Sequence, residues 1–202
     1  NFHKFAYVIS MISAAIVAVI FIYTIPLISL WTGDLNIANT INVTVKILVI
    51  GGYFLCLQLI PYYISLANGH TKTNILLGFF GLFIIIPLIV FSVEKYGMIG
   101  ASFPWILINF FSLVIMSAII INKFLPNQFL KWLIVDVLLP TSITVLTAVI
   151  IYFSTCNLVG KYWFFVAIGF IVILSLLLNI LVYNRINPQH KLINFKFNSS
   201  SN

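Results

Sequence analysis

The feature that most constrains this chain is a series of apolar runs, each roughly twenty residues or slightly longer. Six such runs lie at residues 5–30, 43–66, 73–93, 98–122, 130–155 and 162–183. An α-helix rises about 1.5 Å per residue, so about 20 residues match the ~30 Å hydrocarbon core of a bilayer. Of the 202 residues, 62% are hydrophobic and 6% are charged, more apolar surface than a soluble domain could bury. We therefore predict an all-α integral membrane protein, a polytopic bundle of about six transmembrane helices.

Little sequence is left outside the apolar runs. We predict one transmembrane helix bundle over residues 1–184, followed by a cytoplasmic tail over residues 185–202, which is rich in Asn and Ser. The first run is too long for a signal peptide and lacks a small-residue cleavage site. Because the chain begins without Met and enters the first run almost at once, we expect the C-terminal part of a longer protein.

The basic residues predict the orientation of the bundle, since Lys and Arg favour short cytoplasmic loops. On one side lie Lys4, Lys72, Lys123, Lys131, Arg185, Lys191 and Lys196, and on the other Lys46, Lys95 and Lys161. Both ends of the chain are therefore predicted to be cytoplasmic. The net charge of +7 is explained by anionic membrane lipids as partners, so we predict no nucleic acid partner.

The acidic and histidine side chains are too few and too scattered for catalysis. The acids are Asp34, Glu94 and Asp136, and no two are close in sequence. A membrane enzyme acting on diphosphates would need clustered carboxylates for Mg²⁺, and no hydrolase, nucleotide or zinc motif is present. We predict a protein that is not an enzyme and has no metal or cofactor. The longest predicted outer loop, 31–42, also lacks the Arg and His that a sugar-polymerising ligase would need.

Lys46 is the most informative single charge, because it lies just inside the second run from its outer end. Two interpretations stay open: the ammonium reaches the lipid interface, or it faces a water-filled cavity and binds an anionic substrate group. At about 100° per residue, Tyr53, Leu57 and Ile64 share its helix face. We predict Lys46 and Tyr53 as substrate-binding residues, with only the outer half of that face wet.

Asp136 lies near the inner end of the fifth run and is predicted to serve ion coupling, as intramembrane acids often do. The alternative is a structural acid that pairs with Lys131 or with a neighbouring helix. Three amides lie deeper, Gln58, Asn109 and Asn179, and we expect them to form interhelical hydrogen bonds.

Prolines and glycines punctuate the runs. Pro26, Pro61, Pro87 and Pro140 fall inside predicted spans, where proline bends a helix; four of them suit a bundle that opens and closes. Between the third and fourth runs stands "EKYGMIGAS". Gly97 is predicted to take the positive φ that ends a helix. The small residues Gly100, Ala101 and Ser102 are predicted to allow close helix packing.

Three segments together resemble polysaccharide flippases of the multidrug/oligosaccharidyl-lipid/polysaccharide exporter superfamily. The family's "A-x-G-x-T-K" cytoplasmic turn after a proline-containing helix is matched by Ala67, Gly69, Thr71 and Lys72, and its "YG-x-x-GAA" hairpin by Tyr96, Gly97, Gly100 and Ala101, with Ser102 in the last place. "PLISLWTGD" at 26–34 is similar to the family's helix end and outer loop. The resemblance marks Pro61, Gly69, Gly97 and Gly100 as hinge or packing positions.

The resemblance implies a larger fold of two six-helix repeats, 12–14 helices in all, to which this chain would contribute the last six. It implies a flippase of the bacterial inner membrane that moves a lipid-linked oligosaccharide by alternating access, with other polysaccharide-assembly proteins as further partners. The alternatives are a drug or cation antiporter of the same superfamily, in which deep acids would be expected, and a polytopic membrane enzyme of polysaccharide assembly.

Overall fold

A computed structural model describes residues 2–155, 163–189 and 192, and its regular elements are all helices over that part of the chain. We number them α1 (Phe2–Ile22), α2 (Thr24–Thr32), α3 (Leu35–Ala67), α4 (Lys72–Phe124), α5 (Phe129–Thr155) and α6 (Trp163–Ile186). All except α2 are long and apolar enough to cross a membrane. The prediction of an all-α polytopic helix bundle is confirmed.

Helix α4 is a hairpin of two helical arms, α4a (residues 72–96) and α4b (residues 98–124). The chain reverses at Gly97, whose φ of 57° and ψ of −135° are non-helical. The arms lie side by side, since a Cβ placed on Gly81 would meet Ile108 at 3.0 Å. At ~1.5 Å per residue each arm reaches about 38 Å or more, enough to cross the hydrocarbon core. The described residues therefore contain six stretches of spanning length, as the apolar runs predict.

Helix α1 lies at the centre of the bundle and packs against α3, α5 and α6. Half of the most apolar stretch of α1 is buried. This is a larger share than in any other spanning helix that the structure describes. Its buried face is rich in small side chains, which let neighbouring helices approach closely: Ala6, Ser10, Ser13, Ala14, Ala15 and Ala18. The α4 hairpin packs on α3.

Two predicted boundaries at the outer side are wrong. The run 5–30 is broken at Tyr23, where α1 gives way to α2, because Pro26 has no N–H to continue the helical ladder and so lies in the first turn of α2. The predicted outer loop 31–42 is mostly helical, since α3 begins at Leu35. The Asp34 carboxylate accepts a hydrogen bond from the Asn36 N–H at 2.7 Å, and such an N-cap stabilises the start of a helix.

The cytoplasmic turn after α3 is built around Gly69. Its φ is +64°, and its N–H bonds to the Leu66 carbonyl while the His70 N–H bonds to the Ser65 carbonyl. This pair of hydrogen bonds closes a helix C-terminus with a left-handed residue, a position that favours glycine. The "A-x-G-x-T-K" segment therefore has a backbone reason for its glycine.

The α4 hairpin confirms the prediction for two of its small residues. Gly97 has positive φ, and a Cβ on Gly100 would overlap the Ser92 carbonyl oxygen of the other arm. Ser102 is also buried, but Ala101 is exposed. Ala101 therefore takes no part in the close packing, because it points away from the neighbouring arm.

Helix α5 contains a π-helical segment, Trp132–Leu138. Pro140 follows it within α5, and the Leu139 N–H bonds to the Ile134 carbonyl five residues back. Such wide turns are rare and are frequent at functional sites. Trp132 and Asp136 of this segment are both buried.

The remaining predicted hinge prolines lie inside helices. Pro61 is buried within α3, and Pro87 lies within α4a. At the C-terminal end, α6 continues to Ile186, two residues into the predicted tail. Of the residues named above from the sequence, Lys161, Lys191 and Lys196 lie outside the described part of the chain.

Candidate functional site

A cavity of about 300 Å³ lies between α1, α3 and α5. Its walls are largely apolar, with Phe21 and Ile50 among them, and its polar groups come from Tyr53 and Thr141. These two side chains are hydrogen-bonded to each other across the gap between α3 and α5. Because its two hydroxyls already pair, the cavity suits an apolar group more than a sugar or a phosphate.

Lys46 lies beside this cavity at its outer end. Its ammonium sits 5.2 Å from the centre of the Phe21 ring, a distance at which a cation is attracted to an aromatic face. Phe21 is near the outer end of α1, so Lys46 lies at the outer level of the bundle, although it is 11 residues into α3. Tyr53 thus lines the cavity, Lys46 contacts Phe21 in its wall, and their predicted role in substrate binding stays a prediction.

The prediction that the inner half of that helix face is dry agrees with the burial along α3, and the wet outer half stays a prediction. Leu57, further inward, is 3% exposed and packs in the core with Ala6 and Trp132. Since a buried core leucine leaves no room for water, the inner half of the face is dry.

Asp136 is the centre of a second site, at the inner end of α1 and α5. Its side chain is 1% exposed and forms an ion pair with His3 Nδ1 of α1. The other ring nitrogen of His3, Nε2, lies 3.0 Å from Oε1 of Gln128, in the turn before α5. The sequence suggested two structural partners for Asp136, Lys131 or a neighbouring helix. The structure shows a partner on the neighbouring helix α1.

Both partners of His3 are oxygen atoms. Nδ1 faces the Asp136 carboxyl group and Nε2 faces the Gln128 amide oxygen, so the ring joins the inner end of α5 to the turn before it. Loss of the His3 contact would leave the buried Asp136 side chain without this partner, which is costly.

A second buried hydrogen-bonded network lies between α1, α5 and α6. The Tyr7 hydroxyl lies 3.0 Å from both oxygens of Asn179, and the Asn179 amide donates to Thr144 Oγ1 at 3.1 Å. The Tyr183 ring packs against Tyr7 at a tilt, with ring centres 4.7 Å apart. The network therefore joins the three helices.

The three deep amides divide into two kinds. Asn179 bonds across helices as predicted, and Gln58 reaches the Met116 sulfur of α4b at 3.3 Å. The Asn109 amide instead donates to the Trp105 carbonyl of its own helix at 2.7 Å. The interhelical prediction is therefore wrong for Asn109, because a carbonyl one turn back was within its reach.

Sequence reasoning missed several residues that the structure brings together. His3 and Gln128 lie 133 and 8 residues from Asp136, and no local pattern links them. Gly51 was also missed: a Cβ there would lie 2.7 Å from Trp105 Nε1, and the same indole donates to the Leu48 carbonyl at 3.2 Å. The "GG" pair at 51–52 was the available signal, since small residues mark close helix contacts.

These features define a class. The chain is a multi-pass, all-α membrane protein with a buried ion pair in its bundle, a cavity between three helices and, within the described residues, no group of three or more His, Cys, Asp or Glu side chains placed to hold a metal.

Over 105 residues, 52% of its length, the chain is 29% identical to a protein of Shigella flexneri that carries the provisional name of an O-antigen transporter. The chain covers 25% of that protein's length. No protein-family model and no solved structure matches the chain.

Proposed function

We propose that this chain is part of a flippase that moves a polyprenyl-pyrophosphate-linked oligosaccharide, an O-antigen or capsule repeat unit, across the bacterial cytoplasmic membrane. The observation that carries the proposal is the similarity over 105 residues to the Shigella flexneri protein named as an O-antigen transporter. The "A-x-G-x-T-K" turn and the α4 hairpin add to it, since both have the glycine geometry that their motifs need. Alternating access needs no covalent step, so the work of the protein is charge solvation and gating.

Lys46 is the residue that we assign to the anionic head of the substrate. Its ammonium lies over the Phe21 ring, which forms part of the wall of the α1–α3–α5 cavity. A pyrophosphate would meet the cation beside this cavity, while Tyr53 lines the cavity itself.

Asp136 is the residue that we assign to ion coupling. It is buried against His3 of α1, and the Tyr7–Asn179 hydrogen bond ties the same helix to α6. A change of protonation at the pair would alter the contact between α1 and α5, so proton movement and helix movement are linked.

A cation antiporter of the same superfamily is the second candidate, and the burial of Asp136 inside the bundle favours it. The two functions differ in the substrate that is transported. Neither function requires a metal or an organic cofactor at the site.

Deletion of the gene that encodes this chain tests the proposal. We expect loss of surface polysaccharide and accumulation of lipid-linked repeat units inside the cell, both reversed by the wild-type gene. Normal surface polysaccharide together with increased sensitivity to cationic drugs would instead identify the antiporter.

A further inference from the structure

A second cavity, which the flippase proposal does not use, lies in the α4 hairpin where it packs on α3. It encloses about 430 Å³, larger than the cavity beside Lys46, and its walls are mostly aliphatic side chains and the two glycines Gly78 and Gly81. We call it the hairpin cavity. Along α4a it runs from Asn74 to Ile85, about 16 Å at the rise of an α-helix. This is about half of the ~30 Å hydrocarbon core, the depth of one leaflet.

One end of the hairpin cavity is polar. Both side-chain polar atoms of Asn74 are buried, and neither has a hydrogen-bond partner within the described residues. A buried amide without partners is costly and uncommon. Asn74 is two residues from the start of α4 at Lys72, so this polar end is at the side predicted to be cytoplasmic.

Basic side chains lie at the same end of the α4 hairpin. The Lys123 ammonium lies 3.2 Å from Nδ1 of His70, and the Thr73 hydroxyl lies 3.0 Å from Nε2 of the same ring. Lys72 lies two residues after His70 and is exposed. We call His70, Lys72 and Lys123 the basic cluster.

No acid neutralises the basic cluster. The chain has three acidic residues: Asp34 caps α3 at its other end, Glu94 lies near the hairpin reversal, and Asp136 is paired with His3. Two lysine cations, Lys72 and Lys123, at the membrane surface without a carboxylate partner attract a phosphate.

We propose that the hairpin cavity and the basic cluster form a binding site for one anionic phospholipid of the inner leaflet. One acyl chain fills the cavity as far as the bilayer middle, the Asn74 amide bonds to the ester or glycerol oxygens, and Lys72 and Lys123 bind the headgroup phosphate. The order of apolar wall, amide and cations along α4 matches the order of acyl chain, ester and phosphate in such a lipid. The site is independent of the transported substrate.

The test is lipid-dependent thermal stability of the full-length protein purified in detergent. Phosphatidylglycerol in roughly hundredfold excess over its Kd should raise Tm by about 5–10 °C, since a ligand that binds only the folded state stabilises it. Phosphatidylcholine with the same acyl chains should raise Tm much less, because its headgroup has no net charge. Soluble glycerol 3-phosphate should give no shift, because it has no acyl chain.

Two variants remove the two halves of the site. The double variant Lys72→Ala/Lys123→Ala and the single variant Gly78→Phe should each lose the phosphatidylglycerol shift. The matched controls are Lys95→Ala, a cation at the other end of α4a, and Gly169→Phe on α6. Neither Gly78 nor Gly169 has any described atom within 4 Å of its added Cβ, so both phenylalanines begin from open space. The controls should keep the shift.

Equal shifts from both phospholipids, an equal shift from glycerol 3-phosphate, or a full shift in both site variants would overturn the proposal. If a site variant does not fold, a photoreactive phosphatidylglycerol in membranes containing the wild-type protein decides the matter. We expect crosslinks within residues 74–85, and their absence there, as when another protein segment fills the cavity, would contradict the assignment.

Discussion

Single residues carry the charge chemistry of this protein, and the structure separates two such charges by their surroundings. Lys46 is half-buried over an aromatic ring at the outer end of the bundle, whereas Asp136 is buried and paired near the inner end. The first can meet a substrate without rearrangement, and the second cannot meet one unless α1 and α5 separate. We therefore expect changes at the two sites to fail in different ways.

Charge sign should matter more than shape at Lys46. We expect Lys46→Arg to retain most polysaccharide export, while Lys46→Ala and Lys46→Glu reduce it on the order of tenfold or more, since a hydrogen bond to a charged group contributes roughly 1.5–3 kcal/mol. The measurement is surface polysaccharide in a flippase-deleted strain, with the amount of membrane protein as the control. Full export from the Lys46→Glu variant would remove Lys46 from the substrate site.

The His3–Asp136 pair should show strong coupling between its members. His3→Leu leaves the buried Asp136 side chain without this partner, and breaking a buried pair costs about 3–5 kcal/mol. Asp136→Leu should cost less, because the His3 side chain is 27% exposed. The double variant should recover most of that loss of thermal stability.

Export measured on the same three variants distinguishes coupling from structure. If the pair couples ion movement to transport, the double variant is stable but does not export. Recovery of both stability and export in the double variant would make the pair purely structural, and an equal loss in all three would contradict the observed contact.

At the scale of elements, the α4 hairpin depends on backbone positions that side chains cannot occupy. Gly97 has φ of +57° and Gly100 faces a carbonyl oxygen. An L-residue in the left-handed region costs roughly 1–2 kcal/mol, and a β-branched one costs more because its χ1 is restricted. The turns at Gly33 and Gly69 also have a glycine at positive φ, but in the hairpin a second glycine, Gly100, closely approaches the backbone of the other arm.

We expect Gly97→Val and Gly100→Ala to lower the thermal stability of the purified protein and the amount in the membrane. Gly52→Ala is the matched control, because Gly52 is also helical and no described atom lies within 4 Å of its added Cβ. Gly100→Ala should be clearly worse than Gly52→Ala, and equal stability of the two would show that the close approach at Ser92 is relieved at no cost.

Across the whole molecule, cations collect at one end of the helices. Among the described residues, Lys4, Lys72, Lys123, Lys131 and Arg185 lie at the end that α1 starts from, and Lys46 and Lys95 lie toward the other. Contacts between His3 and Asp136 and between His70 and Lys123 show that these helix ends meet. The asymmetry agrees with a bundle whose cation-rich end is cytoplasmic.

Cysteine labelling tests this orientation. In a background with Cys56→Ser and Cys156→Ser, we expect a membrane-impermeant maleimide added to intact cells to label Trp31→Cys but not Thr73→Cys. Trp31 is 86% exposed in α2 at the outer side, and Thr73 is in the first turn of α4. Labelling of position 73 alone would reverse the topology.

The sequence by itself determined that the protein lies in a lipid bilayer, where its six spanning stretches are, and that the chain reverses at Gly97. Each of these depends on information that is local along the chain: twenty apolar residues match a bilayer wherever they occur, and positive φ at one glycine needs no distant partner. The start of α3 at Leu35 also depends on a local signal, since Asp34 caps it. It was missed because the apolar run that predicted this helix begins only at residue 43.

Only the tertiary structure decided which polar groups meet. Asp136 contacts His3, 133 residues away in sequence. Lys46 contacts Phe21 on another helix, and Gly51 lies against Trp105. In lipid, apolar faces do not drive helices together as they do in water, so small side chains, aromatic rings and buried polar pairs choose the neighbours. Such choices depend on three-dimensional fit between helices far apart in sequence, which hydropathy does not encode.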